Sequence, residues 1–130
     1  PPDTARRVAE ELDGWPLPTA ALVPTHGDYH PRNWLVDGGG AAPRVGVIDL
    51  GRAGLRPAES DLVRLAQRDW VGRPDLEAAF LSGYGTDPRQ PGSWRRTRVR
   101  EAVGTACWAH LVGDTAFEQE GLRLLAELTA

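Results

Sequence analysis

His26-Gly27-Asp28-Tyr29-His30-Pro31-Arg32-Asn33-Trp34-Leu35-Val36-Asp37, followed across a small-residue turn by Arg44-Val45-Gly46-Val47-Ile48-Asp49-Leu50, is the stretch that decides how this 130-residue chain reads. Its first eight residues are polar and contain a proline, which predicts a loop. Residues 34–37 predict a short strand, residues 38–43 a flexible turn, and residues 44–50 a β-branched strand containing an aspartate. Two short strands joined by a turn predict a hairpin. Almost every unusual polar residue falls between His26 and Asp61. Asn33 is the single asparagine and Ile48, just before Asp49, the single isoleucine.

Upstream, Asp3 is a candidate N-cap for a short helix over residues 4–12, with Gly14 just past its end. Trp15-Pro16-Leu17-Pro18 then predicts a break in regular structure. Residues 21–25 form an apolar approach to the polar loop. Downstream of Gly51 and Gly54 the pattern becomes helical. Pro57 suits the first turn of a helix over residues 58–67, with Leu62, Leu65 and Ala66 on one face. Pro74 starts a second helix that ends near Gly83. Ser93 caps a long third helix through Leu111, lined by Val99, Val103, Ala106 and His110. Asp114 caps a fourth, with Phe117, Gly121, Leu124, Leu125 and Leu128 in a stripe. The fold class expected is α+β and mostly helical: a loop, a hairpin and about four helices in one domain over residues 1–130.

Composition narrows the function classes. A net charge of −3 disfavours a nucleic-acid footprint. The one cysteine, Cys107, excludes an intramolecular disulfide and a multi-cysteine zinc site, and is expected to be a small buried hydrophobe. No apolar run is long enough for a membrane span. The expected setting is the bacterial cytoplasm, because the fifteen basic residues are all arginine, as in GC-rich coding. There is no methionine and residue 1 is proline, so the expectation is a processed chain or a piece of a larger one.

Asp28, Asn33 and Asp49 offer two carboxylates and an amide oxygen, hard ligands suited to Mg²⁺. The hairpin returns the chain so that Asp49 can lie beside Asn33. A base, an oxygen ligand and a second carboxylate are the parts that metal-assisted phosphoryl transfer needs. The spaced pattern His26-Gly27-Asp28-x-His30-x-x-Asn33-x-Leu35, then Val47-Ile48-Asp49, then Pro57-x-x-x-Asp61-Leu62, resembles the aminoglycoside phosphotransferase family. That family is similar to the choline and homoserine kinases and shares the protein-kinase-like fold. Protein kinases have His-Arg-Asp with Asn five residues on, then Asp-Phe-Gly. Here Gly27 replaces the arginine and Ile48-Asp49-Leu50-Gly51 stands for the second motif, as in small-molecule kinases. The resemblance covers roughly residues 20–130 and implies a C-terminal lobe. It implies Asp28 as catalytic base, Asn33 and Asp49 as Mg²⁺ ligands against the phosphates of ATP, and His26 as a brace of the loop. His30 occupies a common family position without an assigned role. Asp61 either caps a helix or ties it to the loop through backbone N–H groups.

Other readings compete with this one. A plain cap is the simpler use of Asp61. Gly38-Gly39-Gly40 opens no helix and reads as a hairpin turn rather than a phosphate cradle. Arg89, Arg95, Arg96, Arg98 and Arg100 read as a solvated face, with phosphate or domain contact as the alternative. Trp70 or Trp108 could line a substrate cleft. Gly27-Asp28-x-His30 also suggests a metallophosphoesterase, but the only other histidines are His26 and His110 and no Asn-His pair occurs. A kinase of this type also needs an N-terminal lobe with a lysine on the α and β phosphates. The chain has no lysine, so the expectation is a phosphotransferase lobe, inactive without its N-lobe, acting on a small-molecule hydroxyl. The alternative is a noncatalytic ligand-binding module or a homodimer formed through the exposed cleft.

Overall fold

The computed structural model describes residues 2–15, 20–40 and 42–130. The chain divides into two compact units, residues 20–89 and residues 1–19 with 90–130. The fold is α+β and mostly helical. The break expected at residues 16–18 lies outside the described residues, as does Ala41 of the hairpin turn.

The unit of residues 20–89 holds two antiparallel strand pairs. Strand β1 (Leu22–Thr25) pairs with β4 (Gly54–Pro57), and β2 (Trp34–Asp37) pairs with β3 (Arg44–Val47). In the β2–β3 hairpin Trp34 faces Val47 and Asp37 faces Arg44. The expected strand through Leu50 stops sooner, because Asp49 turns into the left-handed region at φ 63°. The β1–β4 pair was not expected: Pro24, Gly54 and Pro57 are poor strand formers. A side chain helps to join the strands, since the Thr25 hydroxyl donates to the carbonyl of Gly54 at 2.9 Å.

The helix expected over residues 58–67 is replaced by a 3₁₀ turn, Ala58–Asp61, and a wide π turn, Leu65–Asp69. The π turn closes through Trp70 N–H to Leu65 C=O at 2.8 Å. Leu62, Val63, Leu65 and Trp70 are all buried, and Ala66, expected on the buried face, is only half-buried. Helix α2 (Pro74–Tyr84) begins with proline in its first turn and ends at Gly85, φ 99°.

The other unit contains α1 (Pro2–Asp13), α3 (Pro91–Val112) and α4 (Thr115–Leu128). Gly113 at φ 77° ends α3, and the Asp114 carboxylate accepts from Phe117 N–H at 3.0 Å to cap α4. The core joins Val8 to Val99, Ala102, Ala106, Leu124 and Leu125. The buried stripe of α3 is Val99, Ala102, Ala106 and Ala109, so Val99 and Ala106 are inside as expected, Val103 is partly buried against the core, and Ala109 takes the place expected of His110. Small residues win because α4 approaches so closely: a Cβ on Gly121 would sit 2.7 Å from the backbone nitrogen of Ala106. His110 is exposed, and so is Cys107, which the sequence led us to expect inside. One residue past Ala106 is a rotation of about 100°, which carries the thiol out of the α4 contact. Helix α3 starts two residues before Ser93, with Gln90 as its N-cap.

Candidate active site

The loop from His26 to Asn33 is held by hydrogen bonds at both ends. The N–H groups of His26 and Gly27 donate to the two oxygens of Asp61, at 2.7 and 2.8 Å. Asp61 thus ties the downstream 3₁₀ turn to the loop backbone, 34 and 35 residues away in sequence. The His26 ring is buried and bridges two segments. Its Nδ1 accepts from Asp28 N–H at 3.2 Å, so Nε2 carries the proton and donates to Ile48 C=O at 2.8 Å. Replacing Asp61 with alanine strips both loop N–H groups of their acceptor. Hydrogen bonds to a charged group are worth about 1.5–3 kcal/mol each. Urea denaturation should therefore record a loss of about 3 kcal/mol for Asp61→Ala; a loss under about 1 kcal/mol would mean that water replaces the carboxylate.

Asp28 is fixed at three of its atoms. Its N–H donates to His26, its C=O accepts from Asn33 Nδ2 at 2.9 Å, and its Oδ1 accepts from Arg64 Nη1. The Nε2 of His30 is 3.4 Å from the same Oδ1. The other oxygen, Oδ2, takes no hydrogen bond among the described residues. One carboxylate oxygen is thus anchored while the other takes no hydrogen bond.

Burial pushes the His30 imidazole below its ordinary value; Asp28 and Asp69 push it up, and Arg32 and Arg64 push it down. The unfolded chain therefore takes up this proton at a higher pH than the folded one. Stability from this group is present above the ordinary histidine value and is lost as pH falls from there to the folded value. Asp28→Asn removes the principal upward push. In NMR titrations the His30 midpoint should fall further in that variant, and a rise would show that the carboxylate is not its neighbour.

Asn33 is buried, and its amide is oriented by the bond from Nδ2 to Asp28 C=O. Its C=O accepts from Ile48 N–H at 3.0 Å. That bond extends the hairpin by one step past Val47 and pairs Ile48 with Asn33, with Asp49 the next residue on. Asp49 is the one non-glycine described residue at positive φ, a conformation aspartate tolerates better than most. Its side chain is exposed and makes no hydrogen bond or ion pair among the described residues.

Asp28, Asn33 and Asp49 thus sit on one hydrogen-bonded loop-and-hairpin frame. A model of the phosphotransferase enzyme family matches residues 1–100, which include that whole frame with Asp61 and Arg64. The chain belongs to this family. The match begins upstream of the motif and stops within α3. No curated protein and no solved structure matches the chain.

Phosphotransferases of this family generally use ATP and Mg²⁺. The donor set here fits that ion. Mg²⁺ is commonly held by one or two carboxylates together with substrate phosphates, not by an all-protein cage. Asn33 Oδ1 and the unengaged Asp49 carboxylate are oxygen donors of that kind. Among the described residues no group of three or more His, Cys, Asp or Glu could hold a metal.

The remaining sequence candidates make contacts of their own. Trp70 is buried against Phe80, with the Arg89 guanidinium 5.8 Å over its ring. Trp108 is half-exposed in edge contact with Phe117. Arg89 pairs with Glu77 and Asp87, and Arg95 with Glu11, so two members of the arginine cluster are already engaged. No described helix is long and apolar enough to cross a membrane. Two contributors to the site escaped the sequence reading. Tyr29 lines a pocket of about 250 Å³ with Asp61, Phe80 and Tyr84. Arg64 reaches Asp28 across 36 residues.

Proposed function

We propose that this chain carries the base and metal-binding half of an ATP-dependent kinase for a small-molecule hydroxyl. The observation that carries the reading is the state of Asp28: N–H, C=O and Oδ1 all engaged and Oδ2 without a hydrogen bond, on the frame in which Ile48, the residue before Asp49, is bonded to Asn33. In the proposed reaction Asp28 Oδ2 orients the acceptor hydroxyl. The hydroxyl proton passes to Oδ2 as the oxygen bonds to the γ-phosphorus. The bond from that phosphorus to the β–γ bridging oxygen breaks, and its electron pair leaves on ADP. Asn33 and Asp49 would hold Mg²⁺, which neutralises charge on the phosphates.

The chain has no lysine to pair with the α and β phosphates, so the nucleotide contact of that kind comes from an N-lobe outside these residues. The isolated chain is then a poor catalyst. Aminoglycoside-like, choline-like, amino-alcohol and sugar acceptors all suit the chemistry, and a bacterial cytoplasmic setting goes with the arginine-only composition. Calorimetric titration of the chain with ATP tests the reading: binding should require Mg²⁺ and weaken in Asp49→Asn. Mg²⁺-independent binding, or normal phosphotransfer by the isolated chain that survives Asp28→Ala, would overturn it.

A second reading, a noncatalytic dimerising module, draws on the exposed apolar face of the β2–β3 hairpin. Val36, Val45 and Val47 lie on one side of it, at 63%, 56% and 40% exposure. Light scattering separates the two: a stable dimer without Mg²⁺-dependent nucleotide binding favours this one.

A further inference from the structure

We infer that Arg64 is a positioning residue for Asp28, one that assigns Oδ1 to the protein and leaves Oδ2 for the acceptor; the inference rests on the phosphotransfer reading above. Arg64 lies three residues past Asp61, at the start of the π turn. Its backbone is fixed by its neighbours, since Leu62, Val63 and Leu65 are all buried. Its side chain is 23% exposed and that of Asp28 is 19% exposed, so the pair is shielded from bulk water without being sealed from it.

The same short segment therefore holds the loop twice. Asp61 takes the backbone N–H groups of His26 and Gly27, and Arg64 takes the carboxylate that follows them. The first contact sets where the loop runs. The second sets the rotation of the Asp28 side chain, which the backbone bonds leave free. An open carboxylate can turn either oxygen, or neither, toward an incoming hydroxyl. A guanidinium on Oδ1 removes that freedom, and its planar fork limits the angles the pair can adopt. His30 stands 3.4 Å from the same oxygen, so the cationic and imidazole groups both gather on one side of the carboxylate. Oδ2, the atom that must accept a proton, takes no hydrogen bond among the described residues.

A base held this way should lose rate and not binding when its anchor is removed. The experiment is steady-state kinetics in the phosphotransferase-active protein that contains this chain, with wild type, Arg64→Gln, Arg64→Lys, Asp28→Asn and the double variant Asp28→Asn/Arg64→Gln. Arg64→Gln should lower kcat by about 100-fold with KM for both substrates within about threefold, as expected for a misplaced catalytic group. Arg64→Lys keeps the charge without the fork and should lose only about tenfold. In the Asp28→Asn background Arg64→Gln should have no further effect on the residual kcat, because the two act as one unit. A kcat for Arg64→Gln within about threefold of wild type overturns the inference, as do losses that multiply in the double variant. If Arg64→Gln fails to fold by circular dichroism, Arg64→Lys carries the test: a kcat loss at constant KM supports the inference, and an unchanged kcat overturns it. Full activity in Asp28→Asn would instead sink the phosphotransfer reading itself, which keeps the two failures apart.

Discussion

Asp28→Asn is expected to lower kcat for phosphotransfer by roughly 10³-fold while KM changes little. The amide has nearly the same shape as the carboxylate, and the bonds from the Asp28 backbone to His26 and Asn33 do not depend on the side chain. Thermal melting should therefore remain close to that of the parent. On the proposed reading, what the variant loses is an oxygen able to take the proton of the acceptor hydroxyl. Steady-state kinetics on the active protein containing this chain reads the effect directly. A variant that kept more than about a tenth of the parental rate would remove Asp28 from the chemistry, since a general base commonly contributes 10²–10⁴-fold.

Gly27→Ala should damage the protein in a different way, through the fold of the loop. Gly27 has φ 80°, and a Cβ there would collide with the carbonyl oxygen of Arg52 and lie 2.8 Å from Arg56 Nη1. The arginine cannot simply swing aside, because its guanidinium is bonded to the Thr25 hydroxyl and to Arg52 C=O, each at 3.0 Å. Left-handed backbone strain costs about 1–3 kcal/mol. Overpacking at a tight site adds about 1–3 kcal/mol more. A denaturant-measured loss of about 3–5 kcal/mol is expected, together with loss of activity. Stability within about 1 kcal/mol of the parent would mean that the loop does not pass under Arg52 as described. The same crowding is a physical reason for glycine where protein kinases carry arginine between the histidine and the aspartate.

The parts of the structure legible in the sequence were those with local causes. The β2–β3 hairpin follows from two β-branched runs around a glycine-rich turn, and α4 from a cap and a leucine stripe. The loop, with its concentration of His, Asp and Asn, also stood out. The β1–β4 pair did not, because Pro24, Gly54 and Pro57 carry no strand signal and what joins the pair is long-range. The segment from Ala58 to Asp69 misled for a related reason: its residues repeat like a helix, yet Asp61 is drawn to the loop and the turns adjust around that contact. In α3 Val99 and Ala106 were legible but Ala102 and Ala109 were not, since Gly121 lets α4 approach a row of alanines that hydrophobicity alone does not favour over Val103. Arg64 had no local signature, and its partner lies 36 residues earlier.

The bonds from His26 and Gly27 to Asp61 have a consequence for how the protein is made. They span 35 and 34 residues, so the acceptor that shapes the loop is synthesised well after the loop itself. While the chain grows from its N-terminus, the segment with Asp28 has emerged but has no carboxylate to fold against. Closing a chain segment of this length also carries an entropic cost that only long-range contacts offset. The geometry that prepares Asp28 is therefore acquired late, when Asp61 and Arg64 arrive together. A translation pause or a truncation before that point would leave the motif intact in sequence and unformed in space.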